Sequence, residues 1–177
     1  MLVLPELDAR KGVKAGVSIR WCLMSAPSLG YESNTILAKA AIAQTQLVEA
    51  IAQFVAIRFL CAITLAGAAE EVLGKLLLRK SELPVIRESL QTIHDICEKT
   101  GLTVVAGKSD KEIIDEWNAT RNALKHLVAP EEEFITINLC DEAYWMIKRA
   151  LANAHKLQIP IENEQDFENW VVINVNT

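Results

Sequence analysis

The stretch LCAITLAGAAEEVLG, Leu60 to Gly74, decides the fold. It is strongly apolar, yet Glu70 and Glu71 interrupt it, and Lys75 and Arg79 follow. The uncharged run from Phe59 to Ala69 is too short to cross a bilayer, which takes about 20 residues. A helix buried in a protein core is the reading that fits. Upstream of it, Ile36, Ala40, Ala43, Leu47, Ala50 and Phe54 recur at three- and four-residue steps, the period of an amphipathic helix. Residues 34–80 hold no Pro, and no Gly before Gly67. Ser33 or Asn34 is the expected N-cap, because a side-chain oxygen there accepts from the first free amides. One straight helix of this length would reach about 70 Å, larger than a small domain. A break is therefore expected between Phe54 and Phe59, although no turn residue marks it.

Further along, Pro84 pushes residue 83 out of the helical region and can itself open the next helix. That helix is expected over 85–99, burying Ile86, Leu90, Ile93 and either Ile96 or Cys97. Gly101 supplies its left-handed cap. TVVAGKSDKE, residues 103–112, reads as a loop, with Ser109 or Asp110 capping a fourth helix. Glu112 and Asp115 near its start suit the positive end of the dipole. This helix is expected to end near Pro130. A last helix should run from Leu139 or Asp141 to Lys156, packing through Ala143, Ile147, Ala150, Leu151 and Ala154. The tail FENWVVINVNT, residues 167–177, is expected to form a short edge strand or an extended arm on a partner.

Residues 1–33 hold Pro5, Gly12, Gly16, Pro27 and Gly30 without a sustained period. They read as a poorly structured leader, and Met24 is a plausible alternative start. Deleting residues 1–23 should leave the melting temperature nearly unchanged. The expected class is all-α. About five helices form a bundle over residues 34–159, with the irregular leader before it and a short extended tail over 160–177.

Composition agrees. A chain of 177 residues fits one domain and should bury roughly 70% of its unfolded surface, so it needs no metal or disulfide staple. Apolar residues make up 51% and only 7 residues are Gly, which argues for a packed protein. The net charge is −5, so any contact with RNA has to use a local basic patch. Cys22, Cys61, Cys97 and Cys140 stand far apart without a C-x-x-C pair, and there are three His, so zinc-ligand spacing is absent. Reduced thiols in a cytoplasmic protein are expected. The cations Arg10, Lys11, Lys14 and Arg20 are not followed by a signal-like apolar run. A third option, an enzyme acting on a small molecule, is not supported by any phosphate loop, nucleophile triad or metal cluster, and no cofactor is expected.

The chemistry concentrates in WNATRNALKHL, Trp117 to Leu127. On a helical wheel Ile113, Trp117, Leu124 and Leu127 share one apolar stripe, while Asn118, Asn122 and Lys125 point away. Arg121 lies at the stripe's edge, with its stem buried and its head exposed. His126 lies about 140° from Arg121 on an ideal helix, so the two meet only if the helix unwinds or a second copy approaches. Arg offers a planar fork for phosphate oxygens, and His titrates near neutrality. Together they can cleave RNA without metal, the ribose 2′-hydroxyl attacking while Arg stabilises the transition state. Asn122 can orient His126, and Lys125 adds a phosphate contact. Spacing alone favours a plainer reading, an exposed face whose last-turn His and Lys meet the negative helix end. His94 and His155 read as surface or helix-end groups. Glu70 and Glu71 need partners. Glu71 with Lys75 is an ordinary i,i+4 pair; the sharper reading has Glu70 or Glu71 reaching Arg121 or Lys125 and orienting it.

These residues carry a resemblance. RNALKH, Arg121 to His126, is similar to the R-x(4–6)-H signature of the HEPN superfamily, with Asn after Arg. ITLAGAAEEVLGKLL, Ile63 to Leu77, resembles an early helix of bacterial HEPN-like proteins, and RALANAHKLQI, Arg149 to Ile159, resembles a final one. The likeness covers about 37–159. It implies a helical bundle and, for many members, a metal-independent ribonuclease or toxin of antiphage and toxin–antitoxin systems. It also implies Arg121 and His126 as the catalytic pair, Asn122 beside them, a site at a homodimer interface, an RNA substrate, and an antitoxin or other protein partner. No cofactor and no membrane are implied. Members adenylylated by a partner enzyme carry Tyr two residues after the His; Val128 stands there, so that regulation is not expected. The alternative function is a non-catalytic helical dimer that binds a protein or nucleotide through the same face.

Overall fold

The computed structural model describes residues 35–103, 105, 107–126 and 134–175. The leader with Met24, the N-cap candidates Ser33 and Asn34, and Leu127, Val128 and Pro130 lie outside the described residues. From Ile36 onward the described residues form one compact unit. It is all-α: among the described residues there are seven helices and no strand. They are α1 (Lys39–Val55), α2 (Phe59–Arg79), α3 (Val85–Thr100), α4 (Asp110–Trp117), α5 (Ala119–Ala123), α6 (Leu139–Lys156) and α7 (Glu164–Val175).

α2 packs along both α1 and α6, and these three helices build the core. Ala43, Leu47, Ile51 and Phe54 of α1 meet Ala62, Ile63, Ala66, Ala69 and Leu73 of α2. Ala143, Met146, Ile147, Ala150, Leu151 and Ala154 of α6 complete the cluster, which includes every packing residue expected on the last helix. Small side chains on facing helices let the axes approach closely, so dispersion contacts are dense.

α1 starts later than expected. Its N-cap is Ala38, which makes no side-chain cap, and Ile36 is fully exposed instead of packed. The helix begins where the core offers Ala43 and Leu47 something to bury against, because packing supplies most helical stability.

The break between α1 and α2 falls inside the expected window, at Ala56–Arg58. Ile57 adopts the left-handed conformation with φ 61°. Its amide donates to Phe54 O (2.9 Å), and the Arg58 amide donates to Gln53 O (2.8 Å). This is the Schellman end, in which two otherwise unpaired carbonyls gain donors. α2 ends the same way through Ser81 (φ 61°) and α6 through Gln158 (φ 58°). Gly101, with φ 70°, closes α3 as its sequence predicts.

The single fourth helix is two pieces. α4 opens with a full capping box, Ser109 and Glu112 satisfying each other's backbone amides. It stops at Asn118. Arg149 of α6 explains the stop: its Nη1 donates to Trp117 O (3.2 Å) and its Nη2 to Asn118 Oδ1 (2.9 Å). A carbonyl released from the helix thereby keeps a partner.

The tail is a correction. It is neither strand nor extended arm: residues 164–175 form α7. Phe167 is fully buried. Its ring centroid lies 5.1 Å from that of Phe54, and it stacks on Tyr144 at 5.7 Å. Trp170 meets Phe54 edge-on at 4.8 Å. Phe167, Trp170 and Val171 follow helical steps, and burying those rings outweighs the strand preference of the β-branched run Val171–Ile173.

No described helix is long and apolar enough to cross a membrane.

Candidate functional site

The site begins with two residues one turn apart on α2. Gly67 and Glu70 are both buried, and Arg121 of α5 lies against them. A Cβ added at Gly67 would sit 2.6 Å from Arg121 Cδ and 2.8 Å from Cγ, inside any real contact distance. The missing side chain is thus the groove in which the Arg121 stem runs. At the groove's end Arg121 Nη1 donates to Glu70 Oε2 at 3.2 Å. The side chains are 13% and 7% exposed. Glu70 reaching Arg121 is one of the contacts the sharper expectation allowed. Arg121 Nε is buried with no partner among the described residues.

Glu71 takes the ordinary pairing. Its carboxylate accepts from Lys75 Nζ at 2.6 Å, and both groups are solvent-facing. The Lys75 hydrogen bond holds the Glu71 carboxyl below its usual range, and the charges of Lys75, Arg121 and Lys125 add to that pull against a smaller desolvation effect. The polar end of α2 and the α5 segment therefore share one electrostatic neighbourhood.

Asn122, Lys125 and His126 are all exposed. Asn122 is the backbone pivot of the turn that follows α5: its carbonyl accepts from the Lys125 and His126 amides, each at 3.0 Å. α5 ends at Ala123, between Arg121 and His126, so the 140° estimate for a straight helix no longer applies. Within one chain, Arg121 turns inward to Glu70 while His126 sits at the solvent-facing turn. His94 and His155 lie at the surface, against Asp110 (2.9 Å) and Glu164 (2.8 Å).

Sequence reasoning passed over Arg149. It feels the charges of both Glu70 and Arg121, and burial pulls its pKa down from the usual guanidinium value, the nearby Arg121 pulling the same way and Glu70 opposing. Arg149 thus lies within the field of the Arg121–Glu70 pair, with the Glu142 carboxylate also acting on it. The signal was weak: Arg149 lies at the edge of the packed face of α6, beside Met146.

Chemically, the arrangement offers a buried guanidinium held by a carboxylate and, separately at the surface, an amine, a carboxamide and an imidazole in water. Such donors suit a phosphodiester oxygen. Among the described residues no group of three or more His, Cys, Asp or Glu side chains is placed to hold a metal ion. No family model, curated protein or solved structure matches the chain.

Proposed function

We propose that the chain is a HEPN-like helical protein that acts on RNA as a homodimer, cleaving it without a metal ion. The reading rests on the residues that resemble the superfamily signature and on one observation above all, the Arg121–Glu70 pair laid over Gly67. A carboxylate that fixes a guanidinium is the support a transition-state-stabilising arginine needs. In this mechanism the ribose 2′-oxygen attacks the adjacent phosphorus and the 5′-oxygen leaves, giving a 2′,3′-cyclic phosphate. His126 takes the proton of the attacking hydroxyl or delivers one to the leaving oxygen. Arg121 faces the developing charge, Lys125 holds a neighbouring phosphate, and Asn122 orients the imidazole. Because Arg121 faces inward and His126 outward in one chain, the working site takes one residue from each subunit. An antitoxin-type protein partner belongs to the same proposal.

The low exposure of Arg121, 13%, favours a second reading. In it the pair is a structural brace, and the exposed Asn122, Lys125 and His126 form a non-catalytic surface for a protein or nucleotide.

His126→Ala separates the two readings because its side chain is exposed and its loss should leave the fold intact. Purified protein should degrade RNA in the presence of EDTA, and His126→Ala should abolish this with an unchanged helical circular dichroism signal. Intact RNA with the wild-type dimer would favour the second reading.

A further inference from the structure

A cleft of about 820 Å³ opens between α3, α4 and α6; neither Arg121 nor His126 lines it. Its volume falls in the range of small-molecule sites, roughly 300–1,000 Å³. Ile86 and Ile93 of α3 line it together with two indoles, Trp117 of α4 and Trp145 of α6. Trp145 is 64% exposed, an uncommon state for so large an apolar side chain.

The charged groups of the lining are mostly occupied. Glu116 accepts from Lys108 (2.6 Å), Lys148 donates to Glu168 (2.9 Å), and Glu88 is paired with Lys156. Both terminal nitrogens of Arg149 are bound to α4 and its end. Glu142, on the first turn of α6, is the exception: among the described residues its carboxylate accepts no hydrogen bond and lies in no ion pair, although its charge acts on the Arg149 guanidinium of the same cleft. The cleft therefore combines an open aromatic face with one uncommitted carboxylate.

We propose that this cleft binds a guanine base, its ring stacked on Trp145 and its N1–H and N2–H donated to the Glu142 carboxylate. An ionised carboxylate only accepts hydrogen bonds, so it selects a planar edge with adjacent donors. Guanine has that edge. Adenine and cytosine set a ring-nitrogen acceptor beside their amino group, and uracil sets its single imino donor between two carbonyls; each would face the carboxylate with at least one lone pair. The proposal does not depend on RNA cleavage, and binding of a mononucleotide tests it separately.

Isothermal titration of the full-length chain with GMP and with AMP is the test. GMP should bind saturably, with AMP at least about tenfold weaker. Glu142→Gln should weaken GMP binding by about tenfold and leave AMP unchanged. Trp145→Ala should weaken both nucleotides by roughly tenfold, the effect of losing one stacking platform; Trp145→Phe, which keeps a ring, should restore most of it. Absence of saturable GMP binding, equal affinity for AMP, or GMP binding indifferent to Glu142→Gln would each overturn the assignment. GMP binding without RNA cleavage would leave the cleft standing and remove the nuclease; cleavage without GMP binding would do the reverse.

Discussion

At the scale of single residues, the Gly67–Arg121 contact governs the site. In the sequence Gly67 stands in a run of four small residues, Ala66 to Ala69, where another segment can approach closely. What approaches it, an arginine stem and not a helix backbone, was not legible, because that depends on where α5 sits after the chain breaks at Asn118. Gly67→Ala should push Arg121 off Glu70. Overpacking of this kind costs about 1–3 kcal/mol, and urea unfolding should show it; an unchanged midpoint would mean the stem is not confined. The Glu70 contact was readable in part, because an acid in an otherwise apolar helix needs a partner, but the sequence left open which of Glu70 and Glu71 reaches which of Arg121 and Lys125. Glu71 carries a pH prediction. Its carboxyl is held below the usual range in the folded chain, chiefly by Lys75. The pair therefore stabilises the fold above the unfolded carboxylate's range, and the benefit is lost as pH falls through the lower folded value. For an exposed i,i+4 pair the benefit is about 0.3–0.5 kcal/mol. The stability gap between wild type and Glu71→Gln should shrink toward zero on acidification; a gap that widens contradicts the pairing.

At the scale of elements, helix ends divide into those the sequence marks and those it does not. Ser109 and Gly101 cap as their residue types dictate. Ile57 does not: a β-branched residue in the left-handed region costs about 1–2 kcal/mol. No local pattern signals that cost, since it is the packing of Phe54 and Phe59 on either side that places the turn. Ile57 is 66% exposed, so replacing it loses little burial. Ile57→Gly should raise stability by about 0.5–1 kcal/mol, the relief of strain exceeding the greater unfolded-state freedom of Gly. A lower melting temperature would show that the Ile57 side chain makes contacts worth more than the strain. The division of α4 from α5 was hidden for a different reason: its cause, Arg149, lies about thirty residues later and acts through Trp117 O and Asn118 Oδ1.

At the scale of the whole molecule, periodicity was enough to read an all-α bundle, since α1, α2, α3 and α6 carry strong three- and four-residue patterns. The tail was misread because its β-branched run resembles a strand, and only the aromatic cluster of Phe54, Tyr144, Phe167 and Trp170 makes it a helix. Phe167→Ala should cost about 3–5 kcal/mol, as for a buried aromatic in any core; a loss below 1 kcal/mol would mean that α7 is an appendage. The candidate site was legible as a set of residues but not as an arrangement. Adjacent residues such as Arg121 and Asn122 face opposite surroundings, and the sharing between subunits that we propose cannot be read from one chain. Sharing also supplies the most direct test. Arg121→Lys keeps a cation for Glu70 but loses the planar fork, and His126→Ala removes the proton carrier; each alone should be inactive on RNA. Mixing the two variants under conditions that exchange subunits should return cleavage, because a mixed dimer rebuilds one intact Arg121–His126 pair. A mixture that stays as inactive as its parents, beside a wild-type dimer that cleaves, would contradict a site built across two subunits.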